Sequence, residues 1–185
     1  MRAGNDLIVQ DSGSAVLDRA DLARRGKQRG KVFSVSVSPF AAFTTINAIP
    51  STGAKIETIS RNALSVLKRF ELVTIRDGVV FPNSESIDKS GGAKEAIWAA
   101  AKNESSLLRC VDILQDNSNI LAKDMAAKIS DENNLNWSKG SKTRNGGILK
   151  QWSQWVKEGM EMSEIPTPPG RPNKAIYPTP KASLA

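Results

Sequence analysis

Two short runs of polar residues carry side chains that suit the recognition of nucleic acid. Ser60–Arg61–Asn62 and Thr143–Arg144–Asn145 each place a hydroxyl, a guanidinium and a carboxamide on consecutive positions. An arginine can bind a guanine edge or a phosphate, and an asparagine can pair with an adenine edge. The hydroxyl can also cap the start of a helix. The two runs therefore predict two sets of residues that contact base edges.

Each polar run is followed by a similar packing block. Leu67–Lys68–Arg69–Phe70 follows the first run, and Leu149–Lys150–Gln151–Trp152 follows the second with a shift of one residue. A chance similarity between common helix residues is the alternative explanation. The polar run and the apolar block keep nearly the same relative phase in both copies, which favours a genuine repeat. We therefore expect both runs to lie on one exposed working surface.

A helix must position the first run. From Lys55 onward, apolar residues recur at spacings of three and four, which predicts a helix with one buried face. The predicted buried residues are Ile56, Ile59, Ala63, Val66, Leu67 and Phe70. The opposite face carries Ser60, Arg61, Asn62, Ser65 and Arg69. The predicted exposed face thus combines cations and short hydrogen-bonding groups with no acid.

A β-hairpin is predicted directly after this helix. Leu72–Ile75 and Val79–Phe81 are strand-like and flank Asp77–Gly78, the dipeptide that a type I′ turn prefers. A helix with a polar exposed face followed by a hairpin resembles the winged helix-turn-helix superfamily. That resemblance implies that the helix enters the DNA major groove and that Arg76 on the hairpin holds a phosphate. Phe40 to Ile49 is the expected supporting helix, with Phe40 and Phe43 on its buried stripe.

The second half of the chain resembles the same superfamily more weakly. Helices are predicted from Ala93 to Leu114 with a break at Asn103–Glu104, from Ile120 to Glu132, and from Ser141 or Thr143 to about Glu158. No Asp-Gly hairpin follows. Gly146–Gly147 either weakens the start of the last helix, by roughly 1 kcal/mol per glycine relative to alanine, or marks a close approach of its backbone to another group.

The expected fold is mainly α with a short β-hairpin, arranged as two small winged-helix/helix-turn-helix domains in tandem. The predicted divisions are a basic N-terminal arm 1–31, a winged-helix domain 32–83, a linker 84–93, a second helix-turn-helix-like domain 94–160 and a Pro-rich tail 161–185.

Composition argues against an enzyme and for a polyanionic partner. The 185 residues carry a formal charge of +7, include one cysteine and contain no histidine. This excludes an intrachain disulfide and a Cys/His zinc site, and it removes the commonest general base. No glycine fingerprint for nucleotides occurs. We expect no cofactor, no metal and no catalysis.

Both termini offer further cations that can lie on DNA. The segment from Arg24 to Lys31 holds five cations and two glycines, which suits a flexible arm on phosphates or a solvated linker. The tail from Glu161 is rich in proline and is expected to be extended and mostly disordered. Pro169 to Lys174 is similar to an AT-hook, with Arg171 in a narrow minor groove, but a linker is the alternative.

The sequence therefore predicts a double-stranded DNA-binding protein, either sequence-directed or non-specific. It would act as a bacterial or phage regulator of transcription, or as the targeting module of a larger DNA-processing or defence complex. The alternative is a scaffold subunit whose winged-helix domains bind an ATPase or nuclease partner, and the predicted partners include a second copy of the chain, in a homodimer. No apolar run approaches the length of a membrane span, so we expect a soluble, cytoplasmic, nucleoid-associated protein. The predicted DNA-binding residues are Ser60, Arg61, Asn62, Ser65, Arg69, Arg76, Lys139, Lys142, Thr143, Arg144, Asn145, Lys150, Arg24, Arg25, Lys27, Arg29 and Arg171.

Overall fold

The computed structural model describes residues 32–33 and 37–170, and this part of the chain is mainly helical with one small antiparallel sheet. The elements in chain order are α1 Pro39–Ala48, β1 Ala54–Lys55, a 3₁₀ turn Ile56–Thr58, α2 Arg61–Arg69, β2 Val73–Arg76, β3 Val79–Pro82, α3 Ser84–Lys89, α4 Ala93–Lys102, α5 Ser105–Asp116, α6 Ala122–Glu132 and α7 Lys139–Glu161. Among these helices, none combines the length and the apolar composition that crossing a membrane requires.

Helix α1 begins at a well-formed cap. The Ser38 hydroxyl accepts a hydrogen bond from the Ala41 amide at 3.2 Å, and Pro39 occupies the first turn, where its missing N–H costs nothing. Ala42 and Ile46 are buried, whereas Phe40 is 40% exposed. The predicted helix is confirmed, but Phe40 does not belong to its buried stripe.

Helix α2 is shorter than the predicted helix. Ala63, Val66 and Leu67 are buried as expected, but Ile56 is 36% exposed and lies in the 3₁₀ turn. The reason is a backbone bond: the Ile56 amide donates to the Gly78 carbonyl at 2.9 Å, which continues the pairing of β1 with the hairpin. The prediction that Ile56 starts the buried helical stripe is therefore wrong.

The hairpin forms where it was predicted. Asp77 and Gly78 have φ angles of 48° and 74°, the two positive values that a type I′ turn requires. The sheet order is β1-β3-β2, with Ala54 and Ile75 both opposite Val80 on the core side. The sequence pattern had not predicted β1, which has only two residues.

The segment between the two halves contains a helix. Residues 84–93 were predicted to be a linker, but α3 begins at Asn83, whose side-chain oxygen accepts from the Ser86 amide at 3.3 Å. The Asn83 amide group also donates to the Glu71 carbonyl at 2.9 Å, which ties α3 to the base of the hairpin. This segment therefore contains a six-residue helix, Ser84–Lys89.

Helix α7 runs without interruption through Gly146–Gly147. It begins at Ser138, whose hydroxyl accepts from the Ser141 amide at 3.2 Å. A Cβ added to Gly146 would collide with the backbone carbonyl of Ala122, whereas one added to Gly147 would meet nothing within 4 Å. Gly146 thus permits close packing of α7 on the start of α6. The break between α4 and α5 at residues 103–104 also agrees with the prediction.

One buried cluster contains residues from both halves of the chain. Phe33 stacks on Phe70 with ring centroids 5.7 Å apart, and Trp152 contacts both rings edge-on at 5.3 and 5.7 Å. The indole N–H of Trp152 donates to the Val37 carbonyl at 2.9 Å. The division into two domains stays a prediction, and its proposed boundary crosses a continuous apolar core.

Part of the predicted tail is held against this core. Ile165 packs on the cluster and Pro168 is buried, so the expectation of a mostly disordered tail is wrong for residues 162–170. The side chains of Lys94 and Trp155 both bond to the backbone of this segment. Residues 171–185 lie outside the described part of the chain.

The thiol of Cys110 should be unreactive in the folded protein. Burial inside α5 raises its pKa from 9.0 to about 12, and the thiolate is the reactive form. A thiol reagent at pH 8 should therefore label the protein only after denaturation. Because the unfolded chain releases this proton near pH 9 and the folded chain keeps it, stability should also fall as the pH rises above 9. Rapid labelling of protein whose circular dichroism remains native would contradict the burial.

Candidate nucleic-acid interface

The exposed face of α2 carries the first predicted run. Arg61, Asn62 and Ser65 are exposed, while Ala63 and Val66 on the opposite side are buried. Position 68, three residues beyond Ser65, adds an exposed lysine, Lys68, to the row. A groove of about 760 Å³ follows this row and is lined by Ile56, Glu57, Arg61, Leu64, Ser65, Lys68 and Arg69.

Arg69 forms an ion pair within the protein, with Glu104. Its guanidinium binds both carboxylate oxygens of Glu104, with Nε–Oε1 and Nη2–Oε2 distances of 2.7 and 2.6 Å. It also lies over the Phe33 ring, 5.6 Å from the centroid. The Glu104 side chain is only 5% exposed. These contacts give Arg69 a structural role that joins α2 to the start of α5.

The tip of the sheet carries two cations on the same face, one on each side of Val79. Arg76 pairs with Val79 across the hairpin, and Lys55 pairs with Val79 from the other side. Residues directly opposite in neighbouring strands point to the same face. Val80 is fully buried, so the Val79 row faces away from the core. Lys55 and Arg76, both exposed, thus flank one row roughly 10 Å wide, two strand spacings.

Neither predicted hydroxyl caps a helix. Ser60 precedes α2 but makes no side-chain capping bond. Thr143 lies inside α7, where its hydroxyl donates to the Lys139 carbonyl at 3.1 Å. The cap of α7 is Ser138 instead, five residues before Thr143 in the sequence. The capping role assigned to Ser60 and Thr143 is therefore wrong, although both side chains remain exposed.

The second predicted run divides between surface and interior. Thr143 and Arg144 are exposed, but Asn145 is buried at 9% exposure, next to Gly146. Asn145 lies four residues before Leu149, on the face of α7 that is buried. The expectation that both complete runs lie on an exposed surface is therefore wrong for Asn145.

The lysines around this run differ in whether their ammonium groups contact other residues. Lys139 is exposed in the first turn of α7. Lys142 lies 3.7 Å from a carboxylate oxygen of Asp131. Lys150 donates its ammonium to the Ile120 carbonyl at 2.8 Å. Only part of the predicted set on α7 is therefore directed to solvent.

The two predicted sets of DNA-binding residues lie next to different secondary-structure elements. The set on α2 lies beside α1 and the hairpin, whereas the set on the first half of α7 lies over α6. The second half of α7 contributes Trp152 to the shared core instead. Among the remaining predicted residues, Arg24, Arg25, Lys27, Arg29 and Arg171 lie outside the described residues.

Two exposed cations near Arg61 and Arg76, Lys68 and Lys55, were not among the predicted residues. Lys68 could have been found from its spacing, since it lies seven residues after Arg61 on the same helix face. Lys55 could not, because its position beside Arg76 depends on the pairing of β1 with β3. Together with Arg61 and Arg76, they place four exposed cations around α2 and the hairpin, beside the exposed acids Glu57 and Asp77.

Another cation, Arg109, forms an ion pair outside this surface. Arg109 on α5 donates to the Glu132 carboxylate on α6 at 2.8 and 3.0 Å. These hydrogen bonds lower the pKa of Glu132 and raise that of Arg109. The pair is exposed, so it joins two helices at modest energetic benefit.

Comparisons of this chain with protein-family models, with curated proteins and with solved structures found no match.

Proposed function

We propose that this protein binds double-stranded DNA through α2 and the hairpin, in the manner of a winged helix, without catalysis of its own. The observation that carries the proposal is the exposed row of Arg61, Ser65 and Lys68 on a helix whose other face is buried. The element order also supports it, since a helix, a short strand, a second helix and a hairpin follow one another, with β1 beside β3.

The dimensions of α2 suit a major groove. A helix with its side chains is about 10–12 Å in diameter, and the major groove is about 12 Å wide. Arg61 and Asn62 at the N-terminal end would read base edges, as the first residues of a recognition helix do. Ser65 and Lys68, further along the same face, would contact phosphates.

The sheet tip would supply a second set of phosphate contacts. Lys55 and Arg76 flank Val79 on the outward row, and the turn at Asp77–Gly78 projects beyond them. Two cations at this spacing would lie along a backbone next to the groove that α2 occupies. Phosphate contacts of this kind fix the position of a protein on DNA without reading sequence.

The exposed residues of α7 would extend the contact surface. Lys139, Thr143 and Arg144 are accessible, and the net charge of +7 favours a polyanion. We place Arg144 in this role and not Asn145, which is buried. With these contacts, the protein would serve in the nucleoid as a regulator or as the targeting module of a DNA-processing or defence complex.

The decisive substitution is Arg61→Ala. Removing this guanidinium should weaken duplex binding by about 1–3 kcal/mol if it reads a guanine edge. Adding Arg144→Ala should weaken binding further and reduce the slope of log K against log salt by about one. Fluorescence anisotropy of the full chain with random and A·T-rich duplexes, each at two salt concentrations, measures both effects.

Lys89→Ala is the matched control. It removes one positive charge from α3, where the lysine is exposed and pairs with Glu85 at 2.6 Å. A general electrostatic effect would lower affinity equally in Lys89→Ala and Arg61→Ala. If the double variant Arg61→Ala/Arg144→Ala binds duplex at low salt as tightly as the original protein, the proposed DNA interface is wrong.

A second candidate function is a scaffold that binds a protein partner, such as an ATPase or a nuclease. The groove beside α2 favours it, because Ile56 is 36% exposed there and Leu64 forms part of the lining. Binding of DNA should depend steeply on salt, whereas apolar docking in this groove should not. Ile56→Ser would lower the affinity for a protein partner while leaving the affinity for duplex DNA nearly unchanged.

A further inference from the structure

Residues 162–170, which we call the strap, contact three helices. The strap follows α7, contains no regular helix or strand after its initial bend, and includes Pro166, Pro168 and Pro169. Ile165 packs on the core and Pro168 is buried. The chain thus turns back on the helical body in place of leaving it at the end of α7.

Two side chains hold the strap by its backbone carbonyls. The indole N–H of Trp155 on α7 donates to the Pro166 carbonyl at 2.9 Å. The ammonium of Lys94 on α4 donates to the Ile165 carbonyl at 2.8 Å. Because the two accepting carbonyls are consecutive, the donors on different helices define both the position and the direction of the peptide.

An aromatic ring on α1 completes the site. A Cβ added to Gly170 would lie 3.2 Å from Cγ of Phe40, so the glycine backbone rests directly on that ring. The Phe40 side chain is otherwise largely accessible, with 40% of its surface exposed. An aromatic platform, a buried proline and an indole donor to a proline carbonyl are the features with which proteins recognise extended proline-rich peptides.

We propose that α1, α4 and α7 form a binding site for extended proline-containing peptides, which the chain fills with its own residues 165–170. The ligand class follows from the occupant. Proline fixes φ near −65° and has no N–H, so such a peptide offers carbonyl acceptors and little conformational entropy to lose. A peptide of the same chemistry supplied in trans competes for the same donors.

The covalent connection favours the internal segment. A segment joined to its site by a short linker has an effective concentration in the millimolar range. A free peptide therefore binds the original protein weakly, even when the site itself is well formed. Weakening the internal strap should expose the site, and this makes the proposal testable in the full chain.

The experiment uses the full chain carrying Pro168→Asp and a fluorescent synthetic peptide with the sequence of residues 162–170. The substitution puts a charge where a proline is buried, so the strap should leave the site. We expect the variant to bind the peptide at least tenfold more tightly than the original protein, measured by anisotropy. A peptide that itself carries Pro168→Asp should not bind.

Substitutions in the site identify where the peptide binds. In the Pro168→Asp background, Lys94→Met or Trp155→Phe removes one hydrogen-bond donor. Each should lower the affinity for the peptide by about threefold to tenfold, the range for one hydrogen bond. Because Trp155 is buried and its replacement can disturb folding, Phe40→Ala at the exposed rim is a second variant with the same expected direction. A Pro168→Asp protein that remains folded by circular dichroism but gains no peptide affinity, or whose affinity ignores these substitutions, overturns the proposal.

Discussion

Replacing Arg69 with methionine should lower the free energy of unfolding by about 3–5 kcal/mol. The substitution keeps an aliphatic side chain against Phe33 but takes the guanidinium away from Glu104, whose side chain is 5% exposed. The two hydrogen bonds of 2.7 and 2.6 Å are lost with it. Urea denaturation followed by tryptophan fluorescence measures the effect, because Trp152 lies in the same core.

The reciprocal substitution Glu104→Gln should cost less. Arg69 is 22% exposed, so its guanidinium can still reach water after the carboxylate is gone. The double variant Arg69→Met/Glu104→Leu should recover most of the loss, since a buried ion pair can often be replaced by apolar residues of similar size. A cost below 1 kcal/mol for Arg69→Met would mean that the pair behaves like an exposed salt bridge.

Arg69 and Arg61 differ in their contacts, so their substitutions distinguish an effect on folding from an effect on DNA binding. Arg69 was predicted to contact DNA because it lies on α2 beside the polar run, and Arg61 was predicted for the same reason. The structure assigns Arg69 to Glu104 and leaves Arg61 exposed. Loss of DNA affinity in an Arg69 variant would therefore have to be corrected for unfolding, whereas Arg61→Ala tests the proposed interface directly.

Local features of the fold could be predicted from the sequence. Asp77–Gly78 specified the hairpin because few dipeptides tolerate two positive φ angles. The spacing of Ala63, Val66 and Leu67 specified the buried face of α2. Each of these features depends on residues within one or two helical turns, so periodicity and turn chemistry were sufficient.

Features that depend on distant contacts could not be predicted in this way. Arg69 and Glu104 are 35 positions apart, and only the packing of α2 against the start of α5 joins them. The strap is held by Lys94, 71 positions before Ile165. Asn145 matched Asn62 in the sequence pattern, yet it is buried at 9% exposure whereas Asn62 is exposed. A pattern along one helix does not reveal which face a neighbouring helix covers.

The adjacent glycines of α7 provide the sharpest test of this packing. By helix propensity alone, alanine at either position should stabilise the protein by about 1 kcal/mol. At Gly147, where an added Cβ meets nothing within 4 Å, we expect that gain. At Gly146 the added Cβ would overlap the backbone carbonyl of Ala122, so Gly146→Ala should destabilise the protein by about 1–3 kcal/mol.

The contrast between the two variants is informative because they share sequence context, helix and chemical change. A backbone carbonyl cannot rotate away as a flexible side chain can, so α6 and α7 must separate to admit the methyl group at Gly146. Denaturation midpoints of the two variants should therefore shift in opposite directions. Equal stabilisation by both would mean that α7 does not approach the Ala122 carbonyl closely.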